Sequence, residues 1–275
     1  MPELPEVETV VCDLRPLLVG RHLGSVRVSK QRLRRPWSKS WAALLDGRRV
    51  EAVARQGKWI VLALDETVRL VFHLGMTGQL RVVSAAEPVA KHTHLVIDLD
   101  GGQEQLRFRD VRRFGSATVF PDGPALARFL KQSGLGPEPL DLDAATWRQK
   151  LGRTDRCLKA VLLDQRVVAG VGNIYADESL FEARLHPARK ASGLSAAEVG
   201  RLGRAVATVL RRAIERRGST IRDYVGASGQ RGGYQDEFRV YKRTGQSCPR
   251  CDTPIEAVRL AGRSTHYCPN CQRRQ

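Results

Sequence analysis

The sequence predicts an α+β multidomain protein: an N-terminal helix, an antiparallel β-sandwich, a helical domain, and a terminal hairpin pinned by four cysteines. Three observations carry that prediction. Apolar residues recur at helical spacing over 5–18; short β-type runs separated by turn residues fill 22–120; and two Cys-x-x-Cys pairs lie near the C-terminus.

The opening helix is read from Val7, Val10, Val11, Leu14 and Leu18, which fall on one face. Eight runs then look like strands: Ser25–Ser29, Val50–Ala54, Trp59–Leu64, Val68–Leu74, Gln79–Val83, His94–Leu99, Gln105–Arg109 and Ser116–Phe120. Asp46-Gly47, Gly75, Gly78 and Asp100-Gly101-Gly102 punctuate them as turns. Residues 121–140 carry many Pro and Gly and read as a hinge. The clearest later helix starts at Ser195, where Glu198 completes a capping box, and runs along Val199, Leu202, Val206, Leu210 and Ile214 to Gly218. The expected domains are 1–120, a hinge at 121–140, a helical domain over 141–236, and a metal-organised module over 237–275.

Six cysteines are present. Cys12 and Cys157 stand alone in apolar-patterned segments and are expected to be buried thiols. Cys248-x-x-Cys251 and Cys268-x-x-Cys271 have the spacing of a tetrahedral zinc site. Four thiolates close the coordination shell, so one structural Zn2+ is expected, with no open position to activate water.

The net charge is +17, and arginine outnumbers lysine 37 to 9. Residues 201–275 alone hold 16 basic and 6 acidic residues. Such a surplus, rich in planar guanidinium groups, points to a polyanion bound through its phosphates. No apolar run is long enough to cross a bilayer, and the start has no basic-then-apolar leader pattern. A cytoplasmic protein is expected.

The first six residues, Met1-Pro2-Glu3-Leu4-Pro5-Glu6, carry chemistry. A small second residue permits removal of Met1, which leaves a secondary amine beside two carboxylates. An α-amino group has a reference pKa of about 7.7–8.0, so part of it is unprotonated near neutral pH. Such an amine attacks an aldehyde carbon and forms an iminium, an electron sink. The same residues also suit a helix start, since Pro and acidic residues favour first turns. Further along, Gly170, Gly172 and Asn173 precede a predicted helix and leave room for a phosphate at its N-terminus.

The strings MPELPEVETV, HLGMTGQL at 73–80, RRFG at 112–115, LGPEPL at 135–140, AGVGNIYADESLF at 169–181 and GRSTHYCPNC at 262–271 occur in this order along nearly the whole chain. Together they resemble bacterial formamidopyrimidine-DNA glycosylase. The resemblance implies a β-sandwich with an N-terminal helix, a helix-two-turn-helix domain and a zinc finger. It implies a bifunctional glycosylase and abasic-site lyase that removes 8-oxoguanine and formamidopyrimidines from duplex DNA in base excision repair, acting as a monomer. Pro2 would be the nucleophile, Glu3 the general acid/base and Glu6 an organiser of the site. Lys58 would serve β-elimination and Arg263 would grip a phosphate and assist δ-elimination. His92, Arg112, Arg153 and Asn173 match DNA-contacting positions. A base must leave the stack before its C1′ can be attacked; Met76, Arg112 and Phe114 match the residues that fill the gap. This trio favours oxidised purines over the oxidised pyrimidines of the sibling endonuclease VIII. The Gly-rich 219–233 segment corresponds to a loop closing over the extruded base. Three positions depart from the family pattern: Val111 replaces a frequent Pro, Asp155 puts an acid near Arg153, and His266 stands where Phe is common and is read as packing.

Overall fold

Leu4–Leu18 forms α1, whose buried face is Val7, Val10, Val11, Leu14 and Leu18. This helix belongs to a computed structural model that describes residues 1–65, 67–220 and 230–274. β1 (Leu23–Val28) and a short α2 (Ser40–Leu45) follow, then β2 (Val50–Gln56), β3 (Trp59–Leu64), β4 (Arg69–His73), β5 (Gly78–Ser84), β6 (Thr93–Leu99), β7 (Glu104–Asp110) and β8 (Ser116–Phe120). All eight expected strands are present.

They form two four-stranded antiparallel sheets, ordered β1-β6-β7-β5 and β2-β3-β4-β8. Alternate side chains point inwards; β3 reads buried at Ile60, Leu62 and Leu64. One apolar core joins the inner faces to α1 and includes Leu14, Ile60, Phe72, Ile97 and Phe108. The register fixes which loops share an end of the sandwich. Trp59 pairs with His73 and His73 with Ser116 in one sheet; Gly78 pairs with Asp110 and Thr93 with Arg109 in the other. Loops 57–58, 74–77, 91–92 and 111–115 therefore emerge together.

The 121–140 segment differs from its reading as a hinge along its whole length, because α3 occupies Gly123–Gln132. Its Gly-Pro start looks like a breaker in sequence, yet Pro124 sits in the first turn, where its missing N–H costs nothing. Asp122 caps the helix by accepting from Ala125 N at 2.6 Å. Helices α4 (Ala144–Gly152), α5 (Leu158–Leu163), α6 (Asn173–Glu182) and α7 (Ala196–Glu215) come next. The Ser195–Glu198 capping box opens α7 as its sequence predicts. A hairpin of β9 (Glu256–Leu260) and β10 (Arg263–Tyr267) ends the fold.

The chain divides into two compact units, Met1–Ser133 with Arg217–Gly232, and Gly134–Arg216 with Gly233–Gln275. Among the described residues no helix is long and apolar enough to cross a membrane. The expectation for the two lone cysteines fails. Cys12 is exposed because it falls off the apolar face of α1, and Cys157 is half-buried at the N-terminal boundary of α5.

Candidate active site

In the first unit the chemistry gathers at the N-terminal end of α1. Pro2 is buried, as are Glu3 and Glu6, whereas Met1 is 54% exposed. Glu3 precedes the first helical turn, and its backbone N–H donates to Glu6 Oε2 at 2.8 Å. The other oxygen of the same carboxylate accepts from Ser219 N at 2.8 Å and Ser219 Oγ at 3.1 Å. One buried carboxylate thus ties the backbone beside Pro2 to the segment entering the Gly-rich loop. Helix N-termini favour negative charge, which suits both glutamates here.

That segment is narrow. Gly218 has φ +71°, and a Cβ there would lie 2.8 Å from Glu6 Oε1. A Cβ on Gly232 would lie 2.3 Å from Gly218 O, and Gly232 N donates to Thr220 Oγ1 at 2.8 Å. Arg217 adds a 2.6 Å ion pair to Asp13 of α1. The middle of the expected closing loop, 221–229, lies outside the described residues.

Lys58 occupies the two-residue turn of the β2–β3 hairpin, where Gly57 supplies the positive φ such turns require. Arg55 Nε meets Glu8 Oε2 at 2.6 Å, and Arg15 Nε meets Val53 O at 3.3 Å. The helix therefore runs opposite to β2, which brings the Lys58 turn to the N-terminal end of α1. Lys58 is itself buried. His73 lies beside it, a residue the sequence reading quoted but did not single out. Burial pushes its pKa down to about 4, helped by the positive charges of Lys58, Arg34 and Arg35. Gly75 N donates to His73 Nδ1 at 3.1 Å, so the neutral ring carries its proton on Nε2.

The same end of the sandwich exposes Met76 at 39% and Phe114 at 45%, unusual for large apolar side chains. The Arg112 guanidinium sits 4.8 Å from the centroid of the Phe114 ring. His92, in the left-handed region at φ +67°, is exposed on the neighbouring loop.

The second unit has its own cluster. α6 begins at Asn173 after Gly170, which has φ +83°, and the N-cap Gly172. Asn173 Nδ2 donates to Ser264 O at 3.1 Å, next to the exposed Arg263 on β10. Arg153 is exposed at the end of α4. Asp155 nearby accepts from Ser192 Oγ.

Two carboxylates of α6 that the sequence reading passed over build this region. Lys159, fully buried, donates to Asp177 Oδ1 at 2.5 Å and Asn173 O at 2.9 Å. Asp177 Oδ2 accepts from His266 N at 2.9 Å and lies 3.0 Å from His266 Nδ1. His266 is therefore a hydrogen-bonded anchor as well as packing. Glu178 accepts from the backbone N–H groups of Arg239, Val240 and Tyr241 at 2.9–3.2 Å.

The sulfur atoms of Cys248, Cys251, Cys268 and Cys271 lie within 4.8 Å of one another. Tetrahedral zinc with Zn–S near 2.3 Å spaces its sulfurs about 3.8 Å apart, so this set fits one ion. Arg250 N and Cys271 N donate to Cys248 Sγ and Cys268 Sγ, both at 3.4 Å. Gln272 anchors the knuckle by accepting from Cys268 N and donating to Leu185 O, both at 2.9 Å.

Three family models cover the chain. The formamidopyrimidine-DNA glycosylase N-terminal domain matches 1–117, its H2TH domain matches 135–225, and the zinc finger found in FPG and IleRS matches 245–274. The chain is 46% identical to the formamidopyrimidine-DNA glycosylase of Laribacter hongkongensis and 44% to that of Geobacillus kaustophilus. Each alignment covers 99% of this chain and 100% of the relative. Among solved structures, the Lactococcus lactis Fpg in complex with DNA containing an abasic site superposes with TM-score 0.92 at 33% identity, covering 99% and 100% of the two chains. MutM in complex with carbocyclic 8-oxo-G containing DNA gives 0.91 at 34%, with the same coverage.

Proposed function

The chain belongs to the formamidopyrimidine-DNA glycosylase family, and on that premise we propose how its own residues carry the activity. It is a DNA glycosylase with abasic-site lyase activity that removes oxidised purines such as 8-oxoguanine and formamidopyrimidines from duplex DNA in base excision repair. It binds DNA and carries one structural zinc held by Cys248, Cys251, Cys268 and Cys271. The ion supplies folding energy to the hairpin and has no open position for chemistry. Because the relatives are bacterial, the reading places the protein in the cytoplasm, at the nucleoid through DNA, as a monomer.

In the proposed mechanism Met1 is removed and the Pro2 amine attacks C1′ of the extruded nucleotide. The base leaves with the glycosidic electron pair, and Glu3 protonates the ring oxygen as the sugar opens to an iminium. Loss of a C2′ proton then expels the 3′-phosphate, and Lys58 serves that proton transfer. A second elimination expels the 5′-phosphate, gripped by Arg263. Glu6 fixes the backbone next to the nucleophile. Asn173, Arg153, His92 and Arg112 hold the DNA, and Met76, Arg112 and Phe114 enter the gap that the extruded base leaves.

The observation that best supports this assignment is the burial of Pro2, Glu3 and Glu6 together at a helix start, with Glu6 bonded to Ser219. Borohydride reduction on an 8-oxoguanine duplex is expected to trap a covalent adduct whose cross-link maps to Pro2. Undiminished trapping by a protein that retains Met1 and carries Pro2→Gly would overturn the assignment.

A further inference from the structure

Asp110 makes no appearance in the chemistry above, yet its side chain is fully buried and its side-chain and backbone bonds reach three of the loops at the DNA-facing end of the sandwich, 74–77, 91–92 and 111–115. Oδ1 accepts from Thr77 Oγ1 at 2.5 Å, next to Met76, and from Arg112 N at 3.2 Å. Oδ2 accepts from Gly115 N at 2.7 Å, next to Phe114. Arg112 N also donates to Thr77 Oγ1 at 3.1 Å, which closes a three-membered ring of hydrogen bonds. The Asp110 backbone extends the set: its N–H donates to His92 O at 2.9 Å, and its carbonyl accepts from His94 Nε2 at 2.9 Å and Arg113 N at 3.3 Å.

The two turns also touch directly. A Cβ on Gly75 would lie 2.5 Å from Gly115 N and Phe114 C; one on Gly115 would lie 2.6 Å from His73 O. Neither turn shifts without the other. Met76 comes from one of them and Arg112 with Phe114 from the other, so their spacing is set where the turns are joined. A carboxylate suits the junction because it accepts several bonds at once and donates none. Buried without those donors it would carry a large desolvation cost.

We propose that Asp110 is a positioning residue for lesion extrusion: it locks the Met76 turn and the Arg112–Phe114 turn into one rigid wedge. The inference rests on the reading of this trio as gap-filling. Asp110→Asn replaces one acceptor oxygen with a donor and must break either the Gly115 bond or the Thr77–Arg112 pair. Thr77→Val removes the hydroxyl and leaves the carboxylate, and Thr77→Ser restores it.

Two readouts decide. The first is single-turnover cleavage of an 8-oxoguanine duplex against cleavage of a preformed abasic site in single-stranded DNA, which has no base to extrude. The second is fluorescence of 2-aminopurine beside an uncleavable abasic analogue in duplex DNA, which reports wedge insertion without any chemistry. Asp110→Asn and Thr77→Val are expected to slow the duplex reaction by about 10²-fold, the scale of a 1 Å misplacement. They should lower the fluorescence response and spare the single-strand reaction, and Thr77→Ser should recover both losses. Equal loss on both DNA substrates, or an unchanged fluorescence response in both variants, overturns the proposal. A wild-type protein that fails on 8-oxoguanine would overturn the enzymatic reading instead, and the fluorescence comparison would still judge Asp110.

Discussion

Glu6 and Ser219 stand 213 positions apart, yet the serine donates both its backbone N–H and its hydroxyl to one oxygen of the glutamate. The opposite oxygen holds the backbone of Glu3. Gly218 is confined between them by its positive φ and by the 2.8 Å approach a Cβ would make to Glu6. Gly218→Ala is expected to destabilise the protein by about 1–3 kcal/mol, the cost of a strained left-handed residue. It should also slow 8-oxoguanine excision more than cleavage of a preformed abasic site. Thermal melting and parallel single-turnover assays check both effects.

Lys159 and Asp177 are an ion pair with no solvent exposure on either side chain. Lys159→Met leaves the carboxylate buried with its charge unmatched, at a cost of about 3–5 kcal/mol. Denaturant midpoints measure the loss. An unchanged midpoint would show that water reaches the pair.

His73 is held neutral by burial and by the adjacent positive charges, with its pKa down at about 4. The unfolded chain binds a proton at this position below about 6.5 and the folded protein does not until about 4. Stability is therefore complete above pH 6.5 and falls as the pH drops through that window, by up to about 1.4 kcal/mol per pH unit. His73→Gln is expected to flatten that part of the curve. Asp98 and Glu198 act lower down, each held at about 2 chiefly by an arginine, Arg27 and Arg189 respectively. Their stabilisation is present above the ordinary carboxylate range and is lost as pH falls towards 2.

Chelation of zinc is expected to unfold the 245–274 hairpin and with it the β10 strand that carries Arg263. Circular dichroism and zinc release should change together, and strand cleavage should disappear. Cys268→Ser should do the same without chelator.

Arg263→Ala removes one exposed cation from the hairpin. Plots of log affinity against log salt should lose about one unit of slope, as expected for one phosphate contact. Lesion preference should stay unchanged.

Much of the architecture could be read from sequence because alternation and turn residues survive on a half-buried strand, as in β3 with Ile60, Leu62 and Leu64 inside. Helix α3 was hidden by its own Gly123-Pro124 start, since a residue that breaks a helix interior is favoured in a first turn. The cysteine pairs announce their metal site by spacing, and the opening Pro-Glu string suggests its proposed role by position. Asp110, Asp177 and Glu178 do not. In sequence a buried carboxylate looks like a solvated one, and only the fold reveals that backbone N–H groups converge on it. His73 was likewise hidden, because its neutrality depends on burial and on Lys58 next to it.

The unit that houses Pro2 is discontinuous, taking Arg217–Gly232 from the far side of the other unit in sequence. Synthesis from the N-terminus therefore makes Pro2 and Glu6 first and the strap that bonds Glu6 far later. With translation at about 5–20 residues per second, Ser219 follows Glu6 after roughly ten to forty seconds. Throughout that interval the nascent end lacks the neck that closes on Glu6. In the proposed mechanism, where Met1 is removed, the chain's first residues are open to that processing before the segment that bonds Glu6 has been made.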